Sequence, residues 1–211
     1  MTFPSVELSE VAELERRSLA PNDIKHGARY LGLEHIQSGG EILGSVDVEA
    51  NELKSSKYQF SDEHVLYGKL RPYLAKIALP DFSGICSTDI IPIRPGPNLD
   101  RRYLAYLLRQ EKMVEYANAR ASGANLPRLS PKQLAKLPIP LPPLAEQKRI
   151  AKILDAADAL RARRRESLAQ LDALLQSTFL KMFGDPVENP KGWEQVSISS
   201  TESQVQIGPF G

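Results

Sequence analysis

The chain has 211 residues, 42% hydrophobic and 25% charged, which suits one sizeable domain plus an extension. Its net charge of +1, taken whole, argues against a strongly basic nucleic-acid binder, and no stretch approaches the roughly 20 apolar residues that span a bilayer. The single cysteine, Cys86, cannot form an internal disulfide, and the first residues lack the basic and apolar regions of an export signal, so the expected compartment is the cytoplasm.

Residues 1 to about 97 predict short strands and turns. Val6 and Leu8 alternate with polar neighbours, and Tyr30-Leu31-Gly32-Leu33 precedes the turn signal Gln37-Ser38-Gly39-Gly40. The apolar run from Ile85 to Ile93, closed by Pro92 and by Pro95-Gly96-Pro97, predicts one buried strand. A helix is expected from about Leu99 to Ala119, with Leu104, Leu107, Leu108 and Val114 on its apolar face and Asn98 or Asp100 as its cap. Ser122 to Pro127 reads as a polar loop. Ser130-Pro131-Lys132-Gln133 is a capping-box pattern that starts a short helix reaching Lys136. In Leu137-Pro138-Ile139-Pro140-Leu141-Pro142-Pro143, each proline excludes the helical region for the residue before it, which predicts a stiff strand or strut leaving the domain.

Leu144 to Phe183 contains neither proline nor glycine and lies between Pro143 and Gly184-Asp185-Pro186, the punctuation of a single helix. Forty residues make a rod of about 60 Å. Ile150, Leu154, Ala157, Leu168, Leu171, Leu175 and Met182 follow a 3.5-residue seam, interrupted by Arg161 and Arg164. Such a seam wants a second helix beside it, the alternative being a helix folded over its own domain. In the tail, Trp193-Glu194-Gln195-Val196-Ser197-Ile198-Ser199 echoes Phe3-Pro4-Ser5-Val6-Glu7-Leu8-Ser9.

Charge is unevenly distributed: residues 1 to 64 carry a net −6 and the remainder +7. Two segments hold no acid. Val65 to Pro80 carries Lys69, Arg71 and Lys76, and Tyr116 to Ala145 carries Arg120, Arg128, Lys132 and Lys136. Local positive fields of this kind suit phosphate contact. Tyr67, Lys69, Arg71, Tyr73 and Lys76 form the first candidate DNA-binding group, and Arg120, Asn125 and Arg128 the second, because these side chains can address phosphates or base edges. The alternative is that Tyr67 and Tyr73 pack in the core while the cations are merely solvated. Arg161-Ala162-Arg163-Arg164-Arg165 is a third basic feature, open to DNA, a partner or solvent.

No catalytic residue, metal site or cofactor is expected. Neither G-x-G-x-x-G nor G-x-x-x-x-G-K-[ST] occurs, and His26, His35 and His64 lack metal-ligand spacing. Pro80-Asp81 with Glu146-Gln147-Lys148 imitates a nuclease signature, but Glu146 in the first turn of a helix is explained by the helix dipole.

The string Ile139-Pro140-Leu141-Pro142-Pro143-Leu144-Ala145-Glu146-Gln147-Lys148-Arg149-Ile150, with the long helix behind it, resembles the specificity subunits of type I restriction-modification systems. Leu66 to Tyr73, the Gly39-Gly40 turn, Ser122-Gly123 leading to Leu129, and Phe183-Gly184-Asp185-Pro186 before Gly192-Trp193 carry the same resemblance. It implies a mixed α/β target-recognition domain over 1–143 and a spacer helix over 144–183, followed at 184–211 by a stub like the start of a second recognition domain. A usual specificity subunit has two such domains and two helices packed antiparallel; here there is one of each. The resemblance therefore implies a non-catalytic reader of double-stranded DNA. It would act as a homodimer whose long helix pairs antiparallel with its partner's, and would serve modification (M) and restriction (R) subunits. The alternative is a protein-interaction adaptor that no longer binds DNA.

Overall fold

The central strands show why this chain layers as it does. Strand side chains alternate between the two faces of a sheet, and here both faces are apolar. The computed structural model describes residues 3–48 and 53–196. In chain order its elements are β1 (Ser5–Glu7), α1 (Leu8–Val11), β2 (Ala12–Leu14), β3 (Ser18–Leu19), β4 (Ala28–Leu31), β5 (Val46–Val48), β6 (Lys57–Phe60), β7 (Val65–Gly68), β8 (Ile77–Ala78), β9 (Gly84–Cys86) and β10 (Ile90–Pro95). There follow α2 (Arg101–Arg109), α3 (Glu111–Asn118), α4 (Pro131–Ala135), β11 (Pro138–Pro140) and α5 (Leu144–Phe183). The architecture is mixed α/β with a long C-terminal helix.

A four-stranded sheet of order β2-β10-β7-β8 lies at the centre of the first unit, residues 1–156. Val65 and Tyr67 of β7, with Ile91 and Ile93 of β10, join a core with Leu104 and Leu108 of α2, Met113 of α3, Leu134 of α4 and Ile139 of β11. The intervening Leu66 and Ile90 face the other way, into a second core with Leu31, Phe60 and Cys86 from a five-stranded sheet of order β3-β6-β9-β4-β5. The unit therefore stacks helices, sheet and sheet. Each fully buried aliphatic side chain contributes about 1.5–3 kcal/mol.

Two expected elements are split. The single strand over Ile85 to Ile93 is instead β9 and β10, in different sheets. Ser87-Thr88-Asp89 intervenes, and Ile90 N–H donates to Ser87 O at 2.9 Å to close the turn. Polar residues that can bond their own backbone interrupt even an apolar run. The single helix over Leu99 to Ala119 breaks at Gln110, whose ψ of 139° is extended. Asp100, not Asn98, caps α2 by accepting from the N–H groups of Arg102 and Tyr103, both at 3.0 Å. Ser130 caps α4 as expected, accepting from Gln133 N–H at 3.2 Å.

The proline strut does not leave the domain. Pro138–Pro140 pairs antiparallel with Ser5–Glu7, and Leu137 and Ile139 are fully buried in the first core. Proline is tolerated because β11 has only one strand neighbour in its two-stranded sheet. Helix α5 begins and ends where its punctuation places it. Its first three turns pack within the first unit: Gln147 and Ala151 are buried, and Ile150 touches the core.

The second unit, residues 157–211, holds the rest of α5 and its cap. Gly184, at φ +81°, stops the helix and donates its N–H to Leu180 O at 2.8 Å. Lys191 Nζ donates to Lys181 O and Met182 O at 2.9 and 2.6 Å, and Trp193 Nε1 donates to Phe183 O at 2.7 Å. The last four carbonyls of the helix are thus all satisfied. Trp193, singled out in sequence as an echo of Phe3, serves here as a helix cap; Ser197 to Ser199 of that echo lie outside the described residues.

Candidate nucleic-acid interface

The two basic segments predicted separately form one surface. Beyond β7 the chain turns through Pro72–Leu74, flanked by Arg71 and Ala75 with φ of +51° and +47°. Left-handed non-glycine residues cost roughly 1–2 kcal/mol each, and a network of backbone hydrogen bonds holds them here. Arg71 N–H donates to Pro127 O at 2.7 Å, Leu129 N–H to Lys69 O at 2.9 Å, and Lys69 N–H to Asp89 O at 2.8 Å. The loop over Ser122 to Arg128 is closed by reciprocal bonds, Ser122 N–H to Arg128 O at 3.0 Å and Arg128 N–H to Ser122 O at 2.8 Å. Three segments remote in sequence are therefore sewn side by side, with Lys69, Arg71, Asp89, Asn125 and Arg128 along the seams.

Of the eight candidates, Arg71, Tyr73, Arg120, Asn125 and Arg128 are exposed. Tyr73 is 50% accessible, so it is not a core residue. Tyr67 is the correction: it is 3% exposed, packed in the first core, and burial raises its phenol well above the ordinary tyrosine range. Alternation along β7 sends it to the helix side of the sheet, where it is unavailable to DNA. Lys76 is half-buried, its ammonium donating to Leu33 O at 2.7 Å, so it serves the fold. Arg120 lies over the Tyr116 ring at 3.3 Å and donates to Tyr116 O at 3.1 Å.

Asp89 was not anticipated. Arg128 donates to it from Nε at 3.1 Å and from Nη2 at 3.3 Å, and Lys69 Nζ lies 3.7 Å from its Oδ1. The hydrogen bonds and charge of Asp89 hold the Arg128 guanidinium even more firmly protonated than usual. Its sole sequence signal is the polar Ser87-Thr88-Asp89 triplet inside an apolar run.

The seam of α5 divides. Ile150 and Leu154, expected on a partner-facing stripe, are half-buried, and Ile150 packs against the first core. Ala157, Leu168, Leu171, Leu175 and Met182 are exposed, as are Leu160, Leu174, Phe179 and Leu180 nearby. The first turn is fastened by Gln147, fully buried, while Glu146 bonds the exposed Arg149 at 2.7 and 2.8 Å. Arg102 and Tyr106 both reach Asp155 at 2.9 Å, fixing the third turn.

Among the described residues no group of side chains is arranged to hold a metal ion, and no helix is long and apolar enough to cross a membrane. His64 is 2% exposed and structural. Its Nδ1 accepts from Ser61 N–H at 2.9 Å, so its Nε2 carries the proton and donates to Glu15 at 3.2 Å. Arg94 bonds both Glu15 and Glu63, joining β2 and β10 at their ends.

A family model described as the type I restriction modification DNA specificity domain matches residues 2–171. The type I restriction enzyme EcoDI specificity subunit of Escherichia coli is 28% identical, over 84% of this chain and 40% of that protein. The MjaX type I restriction enzyme specificity subunit of Methanocaldococcus jannaschii is 32% identical, over 97% of this chain and 51% of that protein. The crystal structure of the HsdS subunit from Thermoanaerobacter tengcongensis is similar at a TM-score of 0.65 and 26% identity, covering 88% of this chain and 50% of that one. This chain thus spans about half the length of the relatives it matches.

Proposed function

The chain belongs to the type I restriction-modification DNA specificity family, and from that membership we propose that it is the DNA-reading subunit of such a system, its single recognition domain reading one half of a bipartite site. The observation that carries the reading is the convergence of Lys69, Arg71, Tyr73, Asn125 and Arg128 from two acid-free segments onto one backbone-stitched surface. Cations fixed on a rigid frame can set register on phosphates while a few donors address base edges.

In this reading the chain is not itself a catalyst; methyl transfer and cleavage fall to modification and restriction subunits that it directs. Two copies pair antiparallel through α5, and the exposed Leu168, Leu171, Leu175 and Met182 supply the apolar stripe that such pairing covers. A dimer of this kind restores the two recognition domains found in a full-length subunit.

Titrating the full chain, with the modification subunit of its system, against mixed-sequence duplex DNA over a range of salt tests the reading. The expected result is sequence-selective protection, with affinity falling linearly in log salt. Absence of any protection at low salt would reject it in favour of a protein-interaction adaptor.

A further inference from the structure

Arg128 stands on the proposed reading surface with one edge already occupied. Asp89 engages its Nε and Nη2 side-on, at 3.1 and 3.3 Å. That geometry leaves the hydrogens of Nη1 and the outer hydrogen of Nη2, the forked end of the guanidinium, unused by Asp89. A loop arginine without such a partner samples many rotamers, whereas one clamped along its side presents its fork in one direction.

The clamp is itself fixed. Asp89 C=O accepts from Lys69 N–H at 2.8 Å, and Asp89 N–H bonds Ser87 Oγ at 3.3 Å, so the carboxylate stands on a turn between two strands of the core. An exposed ion pair of this kind contributes little to stability. A carboxylate in the middle of a surface that must approach phosphates also weakens general attraction, since it offsets one of the two cations, Lys69 and Arg128, beside it. Aiming a side chain is the role that makes use of both facts.

We infer that Asp89 is a positioning residue for DNA reading: it holds Arg128 so that the guanidinium fork meets the O6 and N7 edge of a guanine in the half-site. The inference rests on the DNA-reading function proposed above. It assigns Asp89 two opposite effects, tightening discrimination while weakening non-specific attraction.

The test compares the full chain with Asp89→Ala, Asp89→Asn and Arg128→Ala, each bound with its modification subunit to a randomised duplex pool and, separately, to one non-specific duplex. In the wild type one half-site position selects guanine. Asp89→Ala flattens that position, losing about 5- to 150-fold of discrimination, the range of a bidentate base contact. The same variant binds the non-specific duplex more tightly, with a log–log salt slope steeper by about one as a freed cation reaches a phosphate. Asp89→Asn, which keeps one acceptor and the turn, changes in the same directions by less. Arg128→Ala flattens the same position while binding the non-specific duplex more weakly. A merely structural ion pair would weaken binding to every duplex alike, or change nothing. Either result, with the wild type still selecting a sequence, overturns the role of Asp89 alone. A wild type that selects no sequence overturns the DNA-reading function, and the role of Asp89 with it.

Discussion

The fully buried carboxamide of Gln147 accepts from the backbone N–H of Asp100 at 2.8 Å, linking the first turn of α5 to the cap of α2. Its nitrogen donates to Asn98 O at 2.9 Å and Pro142 O at 2.8 Å, so one side chain satisfies three backbone groups. Gln147→Leu leaves them without a partner and lowers the unfolding free energy by about 2–4 kcal/mol. Gln147→Glu loses at least as much at neutral pH, because a carboxylate then faces two carbonyl oxygens. Urea unfolding of residues 1–211 measures both. Lys148→Ala, at the neighbouring exposed position, leaves the urea midpoint unchanged.

Glu15 predicts an acid limb in the stability profile. Burial alone raises its pKa, but the hydrogen bonds of Arg94 and His64 and the charge of Arg94 outweigh burial and hold it below its ordinary 4.5. A carboxylate with a depressed folded pKa stabilises above the unfolded value, and that stabilisation is lost as pH falls through the folded one. The stability difference between wild type and Glu15→Gln is therefore constant near neutrality and shrinks below about pH 4.5. Thermal melting of the two proteins from pH 7 down to pH 3 checks it; a difference that grows toward acid would contradict the sign.

Tyr67 and Arg71 separate core from surface. Tyr67→Ala removes a buried ring and destabilises by about 3–5 kcal/mol, whereas Tyr67→Phe leaves DNA affinity unchanged. Arg71→Ala leaves stability nearly intact but weakens binding to all duplexes and reduces the salt slope by about one. Fluorescence titration at several salt concentrations distinguishes the two variants.

The exposed stripe of α5 gives a mass prediction. Wild type scatters as two chains at micromolar concentration, and Leu171→Lys with Leu175→Lys scatters as one, with the melting transition of the first unit unchanged. A wild-type mass of one chain across the same range would remove the dimer.

Helix α5 was legible to the residue, because proline and glycine bound forty good helix formers. The recognition surface was legible only in parts. Freedom from acids marked both segments that carry Lys69, Arg71 and Arg128, but Asp89, the acid that meets Lys69 and Arg128, comes from a third segment brought in by sheet pairing. No local pattern encodes that. Tyr67 was misplaced for a related reason: both faces of β7 are buried, so alternation does not say which side faces water. Ile150 fits a heptad as well as any residue on α5, yet it packs against the core of its own domain. Periodicity identifies a stripe and leaves its occupant to tertiary contacts.

The central claim is that one recognition domain, duplicated through its helix, reads a split site. Selection from a randomised duplex pool by the full chain with its modification subunit tests it most directly. Because two identical domains related by a two-fold axis read identical half-sites, the enriched sequence is expected to be an inverted repeat divided by an unread spacer. An enriched sequence with two unrelated halves, or no enrichment at low salt, would contradict the account.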